Sequence, residues 1–179
     1  MKQTFRTLFL AHFLAIFLAF VAFAPTLSSA ATTGYSDSVE NTITDCFRGQ
    51  ACAPFPATHY YGLTTDTCSD AGPGTEPSGN GYARVAVVAS LANFAGTQGS
   101  GTTVASSGTG GATSNNGAIT FPTSTGAWAS GATLQAVRTY TLSSGGVQTT
   151  CIDLTTGFAV PATGVTLSFP AAAWSLTIN

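Results

Sequence analysis

Cys46 and Cys52 flank five residues, Arg-Gly among them, in the stretch CFRGQACAPFPATHYYGLTT, and Cys68 and Cys151 complete the chain's four cysteines. Thiols at such positions serve metal ligation, redox exchange or structural disulfides. Intervals of five, fifteen and eighty-two intervening residues match no zinc pattern. His59, the one histidine beyond residue 30, sits in no C-x-x-C setting. An even cysteine count in an exported chain favours disulfides, with buried free thiols next and metal or redox chemistry last. Four cysteines permit three connectivities, and the sequence does not choose among them. Cys46 with Cys52 would close a short local loop. Cys68 with Cys151 would join distant segments and remove unfolded-state freedom equivalent to roughly 4 kcal/mol.

Other chemistry is sparse. The chain has no G-x-S-x-G elbow, no G-x-x-x-x-G-K-[ST] and no H-E-x-x-H. His59 opens a predicted strand, where a structural or exposed role outweighs that of a catalytic base. Asp66, Asp70 and Glu76 share one loop and offer the oxygen ligands that calcium takes, but their spacing fits no known calcium loop. None of the seven acids past residue 30 is paired by sequence in the manner of a glycosidase. No catalytic, cofactor-binding or metal-binding residue is assigned, and the chain reads as a non-enzyme.

The elements that position these residues begin after an expected leader. Lys2 and Arg6 precede an apolar stretch from Leu8 to Ala24, Pro25 breaks it, and Ser28-Ser29-Ala30 supplies small residues. That is the form of a secretory signal over residues 1–30, cleaved before Ala31, which leaves no stable membrane anchor. The alternative is an uncleaved anchor, for which seventeen residues are short of the roughly 20 a span needs. The remaining 149 residues, 31–179, make one domain with a real core. Its cations are Arg48, Arg84 and Arg138 alone; seven acids bring the charge to −4. Nucleic-acid binding, which needs clustered cations, is set aside.

Val39, Ile43, Cys46 and Phe47 recur at helical period, predicting one short helix from about Ser38 to Arg48. Asp37 with Glu40 has the form of a capping box, and Gly49 stands where a left-handed C-terminal cap belongs. Strand patterns follow at His59–Thr64, Tyr82–Val88, Ala118–Phe121, Leu134–Leu142, Val147–Leu154, Val165–Phe169 and Trp174–Ile178. The fold class is all-β: a single β-sandwich, jelly-roll-like in one form, with one short N-terminal helix. Two loops are long: Asp66–Gly81, dense in turn residues, and the low-complexity 96–117, read as a mobile or inserted loop tip.

The span SVENTITDCFRGQACAPFPATHYYGLTTDTCSDAGPGTEPSGNGYARVAV resembles a widespread group of small tailed-bacteriophage virion proteins, labelled tail fibre or structural protein. The group's helix ends in a Phe-Arg-Gly element, matched by Phe47-Arg48-Gly49. Its Pro-Ala-Thr and following strand are matched by Pro56-Ala57-Thr58 and Tyr60–Thr64. Its Gly-rich loop ending in Gly-Tyr-Ala-Arg is matched by Ser69 through Gly81-Tyr82-Ala83-Arg84. Further on, NNGAITFPTSTGAW and VPATGVTLSFPAAAWSLTIN are similar to its later segments. The leader and the cysteines depart from the group and point to an exported, oxidised copy.

The resemblance implies a non-enzymatic virion structural protein, tail fibre-like or a capsid decoration. It would act through contacts with its own copies, as a homo-oligomer, or with other virion proteins. The rival reading is a secreted, phage-derived adhesin module that holds a host-surface glycan or protein. Location is exported or extracellular, and the virion where the resemblance holds. Phe47, Arg48, Gly49, Tyr82 and Arg84 are structural motif residues. Arg48 and Arg84 are expected to pair with Glu40, Asp45, Asp70 or Glu76, tying the helix and the Ser69–Gly81 loop to the sheet.

Overall fold

The computed structural model describes residues 34–50, 55–69 and 71–178. The expected leader, Cys52 and Asp70 lie outside them. In chain order the elements are β1 (Gly34–Tyr35), α1 (Asp37–Phe47), β2 (Thr58–Thr64), β3 (Val85–Val88), β4 (Phe94–Ala95), β5 (Gly111–Asn115), β6 (Ile119–Thr120), β7 (Thr133–Tyr140), β8 (Gln148–Ala159), β9 (Ser168–Phe169) and β10 (Ser175–Ile178). The all-β architecture with one short helix is the one that the residue patterns predict. No described helix is long and apolar enough to cross a membrane.

Five strands form the main antiparallel sheet in the order β1-β8-β7-β2-β3. Alternation along each strand gives this sheet two faces. On one, Tyr61, Leu63, Val137 and Ile152 enter a buried cluster with Ile119, Phe121, Phe169, Trp174 and Leu176 from the segments opposite. Those segments carry a three-stranded sheet, β10-β5-β4, and the β6-β9 pair. Trp128, fully buried, donates its Nε1–H to the Asn80 carbonyl at 2.9 Å and so anchors the loop before β3 to the core.

Two expectations need correction. The helix has no capping box: Ser36 is its N-cap and makes no side-chain cap bond, and Asp37 is the first helical residue. The Ser36 hydroxyl donates instead to the Gln148 carbonyl, and its N–H to the Thr149 carbonyl at 3.0 Å, so the helix start is tied to β8. The helix does end as expected: Gly49 has φ +86°, and Gln50 N–H reaches the Asp45 carbonyl at 2.9 Å in a Schellman arrangement.

The stretch 96–117 is not simply a loop, because its last third is strand β5, paired with β10 and β4. The remainder is braced internally: Gln98 donates to the Ala105 carbonyl at 2.7 Å, and Asn116 donates to the Thr102 carbonyl at 2.9 Å. The apolar stripe of α1 buries only Val39.

Candidate functional site

The face of the main sheet away from the core carries Gly62, Thr64, Arg138 and Tyr140, and the loop after β2 folds across it. Arg138 organises that fold-over. Its side chain is 1% exposed, yet the carboxylate nearest it, Asp66, stands at 3.6 Å. Its remaining partners are neutral oxygens. Nη1 donates to the Gly72 carbonyl at 2.8 Å, to the Ser69 carbonyl at 3.2 Å and to the Gln148 amide oxygen. Nη2 donates to the Thr67 carbonyl at 2.7 Å, and Nε to the Thr64 hydroxyl at 3.1 Å. The fork geometry of a guanidinium lets one side chain satisfy several loop carbonyls at once.

A covalent tie reinforces the same place. Cys68 and Cys151 are joined in a disulfide, with Cα atoms 5.5 Å apart. Beside it, the Cys68 N–H donates to the Asp153 carboxylate at 2.6 Å. Cys46 is also disulfide-bonded, its partner lying outside the described residues.

Arg84 closes the other end of the loop. Its Nε donates to Glu76 at 2.9 and 3.0 Å, Nη2 pairs with the same carboxylate, and Nη1 donates to the Leu142 and Gly145 carbonyls at 2.7 Å each. The guanidinium lies 3.4 Å over the Tyr140 ring centroid, a cation–π contact. Tyr82 donates its O–H to Glu76 at 2.7 Å and accepts from the Leu63 N–H at 2.8 Å. Burial, then the Glu76 charge, raises the Tyr82 phenol well above the usual range. Gly62 makes room for this cluster: a Cβ there would stand 2.3 Å from the Glu76 carboxylate and 2.9 Å from the Tyr140 ring.

The structure therefore brings together Tyr82, Arg84, Cys68 and Cys151 around one loop, and separates Phe47, Arg48 and Gly49 at the helix end. Arg84 pairs with Glu76 across the loop. Arg48 pairs with Asp45 one helical turn away at 3.3 Å, both side chains more than half exposed, so it ties the helix to nothing beyond itself. Asp66 and Glu76 are engaged by Arg138 and Arg84, and among the described residues no three of His, Cys, Asp and Glu gather as a cation site. Arg138 escaped sequence reasoning. Its signal was a lone cation inside the strand pattern LQAVRTYTL.

The helix presents the molecule's apolar face. Ile43 is 43% exposed and Phe47 93% exposed, one and two turns beyond Val39. The stripe leads to a recess lined by Val39, Phe55, Pro56 and Val147, with Thr42 and Thr141 at its sides. Phe55, Leu142 and Val147 are each at least half exposed. Exposed apolar side chains as large as Ile43 and Phe47 mark a candidate surface for protein contact.

A family model described as Podophage GP4 fiber I protein gp80 matches residues 34–177, which takes in both the looped-over sheet and the helix. No curated protein matches the chain.

Proposed function

Because this chain belongs to the podophage GP4 fiber I protein gp80 family, a family of phage virion structural proteins, we propose that it is a non-enzymatic tail fibre-like or capsid-decoration component that works through subunit contacts. The observation that supports this most directly is the apolar face of α1. An exposed helical stripe of Ile43 and Phe47 has the composition of a surface that another chain covers. The partner is a further copy of this chain or another virion protein. With so few charges on the molecule, contact there depends on shape and apolar area rather than on ion pairs. The Cys68–Cys151 bridge and the leader motif support an exported route to the particle.

Quantitative mass spectrometry of purified particles and of particle-free supernatant tests the reading. The protein is expected in particles, at hundreds of copies for a decoration and a handful for a tail or fibre part. In particles assembled with Ile43→Ser and Phe47→Ser together, that copy number is expected to fall at least tenfold while the protein stays folded. Absence from particles, with a chain beginning at Ala31 free in the supernatant, would overturn the proposal in favour of a secreted binding module.

A further inference from the structure

Between the core face of the main sheet and the β10-β5-β4 sheet lies an open cavity of about 470 Å³. That volume is in the range of small-molecule sites. One wall is a chain of aromatic rings. Trp174 meets Phe94 with centroids 6.1 Å apart, and Phe94 meets His59 at 5.6 Å. At the mouth, Tyr35 and the exposed Phe55 lean on each other at 6.1 Å.

The floor is polar. A β-bulge between Thr139 and Tyr140 puts two residues of β8, Thr149 and Thr150, opposite Thr139. Both hydroxyls meet the Thr139 hydroxyl at 2.6 Å. All three threonines are nine-tenths or more buried and line the cavity. Three hydroxyls carry three protons and two contacts use two, so one donor and several lone pairs stay available.

Among the described residues, no Asp, Glu, Lys or Arg side chain lines this space. Burial moreover lowers the His59 pKa and holds its ring neutral. An ionic ligand would meet no counter-charge here and would lose its hydration. A pure hydrocarbon would leave the spare threonine donor and lone pairs without a partner. What matches is a molecule with apolar C–H faces for the rings and hydroxyls for the floor.

We infer that this cavity is a binding site for a neutral saccharide unit, its C–H face stacked on the aromatic wall and its hydroxyls paired with Thr139, Thr149 and Thr150. The partial positive charge of sugar C–H groups complements the negative face of an aromatic ring. This site is independent of where the protein is assembled, so particle composition and sugar binding are tested separately.

Saturation-transfer NMR on the purified protein, with D-glucose, D-galactose, L-rhamnose and N-acetyl-D-glucosamine as neutral probes and D-glucuronate and D-glucosamine as charged ones, decides it. At least one neutral sugar is expected to bind, and the charged sugars not. Thr139→Val and Thr149→Val should each weaken that binding about tenfold, the loss of one hydrogen bond. Phe55→Ala, at the exposed rim, cannot collapse the core and should weaken it as well, so a folding defect in the buried variants leaves the test intact. No transfer to any neutral sugar, equal transfer to charged ones, or binding unchanged in all three variants would overturn the site.

Discussion

Arg138 is a cation in a place where a cation is costly. Taking a guanidinium out of water costs several kcal/mol, offset here by neutral oxygens more than by Asp66 at 3.6 Å. The carbonyls of Thr67, Ser69 and Gly72 are oriented by that charge, so the residue acts as a template for the backbone of the loop. Arg138→Met would leave those groups and the Gln148 amide without a donor. The expected loss is about 3–5 kcal/mol, a fall in melting temperature on the order of 10 °C. Lysine should rescue little, because three donors on a flexible stem do not span the fork. Arg48→Ala is the contrasting change: its pair with Asp45 is exposed, and stability should stay within about 0.5 kcal/mol. Thermal unfolding of the three variants checks this. Equal melting temperatures for Arg138→Met and the unaltered protein would remove the template argument.

At the scale of elements, the loop over the sheet is held by two devices that act on different states. The Cys68–Cys151 bridge spans 83 residues and works mainly by constraining the unfolded chain, for about 4 kcal/mol. Arg138 and Arg84 hold the loop in the folded state. Replacing both cysteines with serine should therefore lower the melting temperature markedly while native-state proteolysis between Thr65 and Gly81 stays slow. Fast cleavage there in the folded double variant would show that the bridge, and not the arginines, fixes the loop.

The same contrast explains what sequence patterns reveal. β2, β7, β8 and β10 are apolar or β-branched runs and are readable as strands. β5, GATSN, contains no large apolar residue, and its pairing is imposed by β10 and by Asn115, which accepts from the Trp174 N–H at 2.9 Å and donates to the Pro170 carbonyl at 2.8 Å. The cage around Arg138 is built from carbonyls, which every residue has, so no side-chain motif announces it. The cavity floor depends on a bulge, a one-residue irregularity that three threonines alone do not signal. The Arg84–Glu76 pair was legible because both residues sit in quoted motif segments and the loop between them is short.

For the whole molecule, the buried aromatic groups set a window of pH in which folding is most favourable. Burial lowers the His59 pKa from its ordinary 6.5, and raises the Tyr61, Tyr82 and Tyr140 phenols above their ordinary 10.0, with Glu76 adding to the rise at Tyr82 and Tyr140. Below about pH 6.5 the unfolded chain binds a proton at His59 that the folded chain resists, so stability falls as pH drops. Above about pH 10 the unfolded chain releases tyrosine protons that the folded chain keeps, so stability falls as pH rises. Between the two, both contributions are complete. The alkaline limb is the steeper because several phenols contribute, each adding about 1.4 kcal/mol per pH unit. Tyr61 isolates one of them. Its hydroxyl is buried with no hydrogen-bond partner among the described residues, so Tyr61→Phe removes a desolvated polar group and leaves the packing on Trp174 in place. At pH 8 the variant should be as stable as the unaltered protein or more so, by up to about 1 kcal/mol. Above pH 10 its stability should decline with a slope shallower by one proton. Urea unfolding followed from pH 8 to pH 11.5 reads both quantities, and an unchanged alkaline slope would mean that Tyr61 ionises in the folded protein as freely as in the unfolded chain.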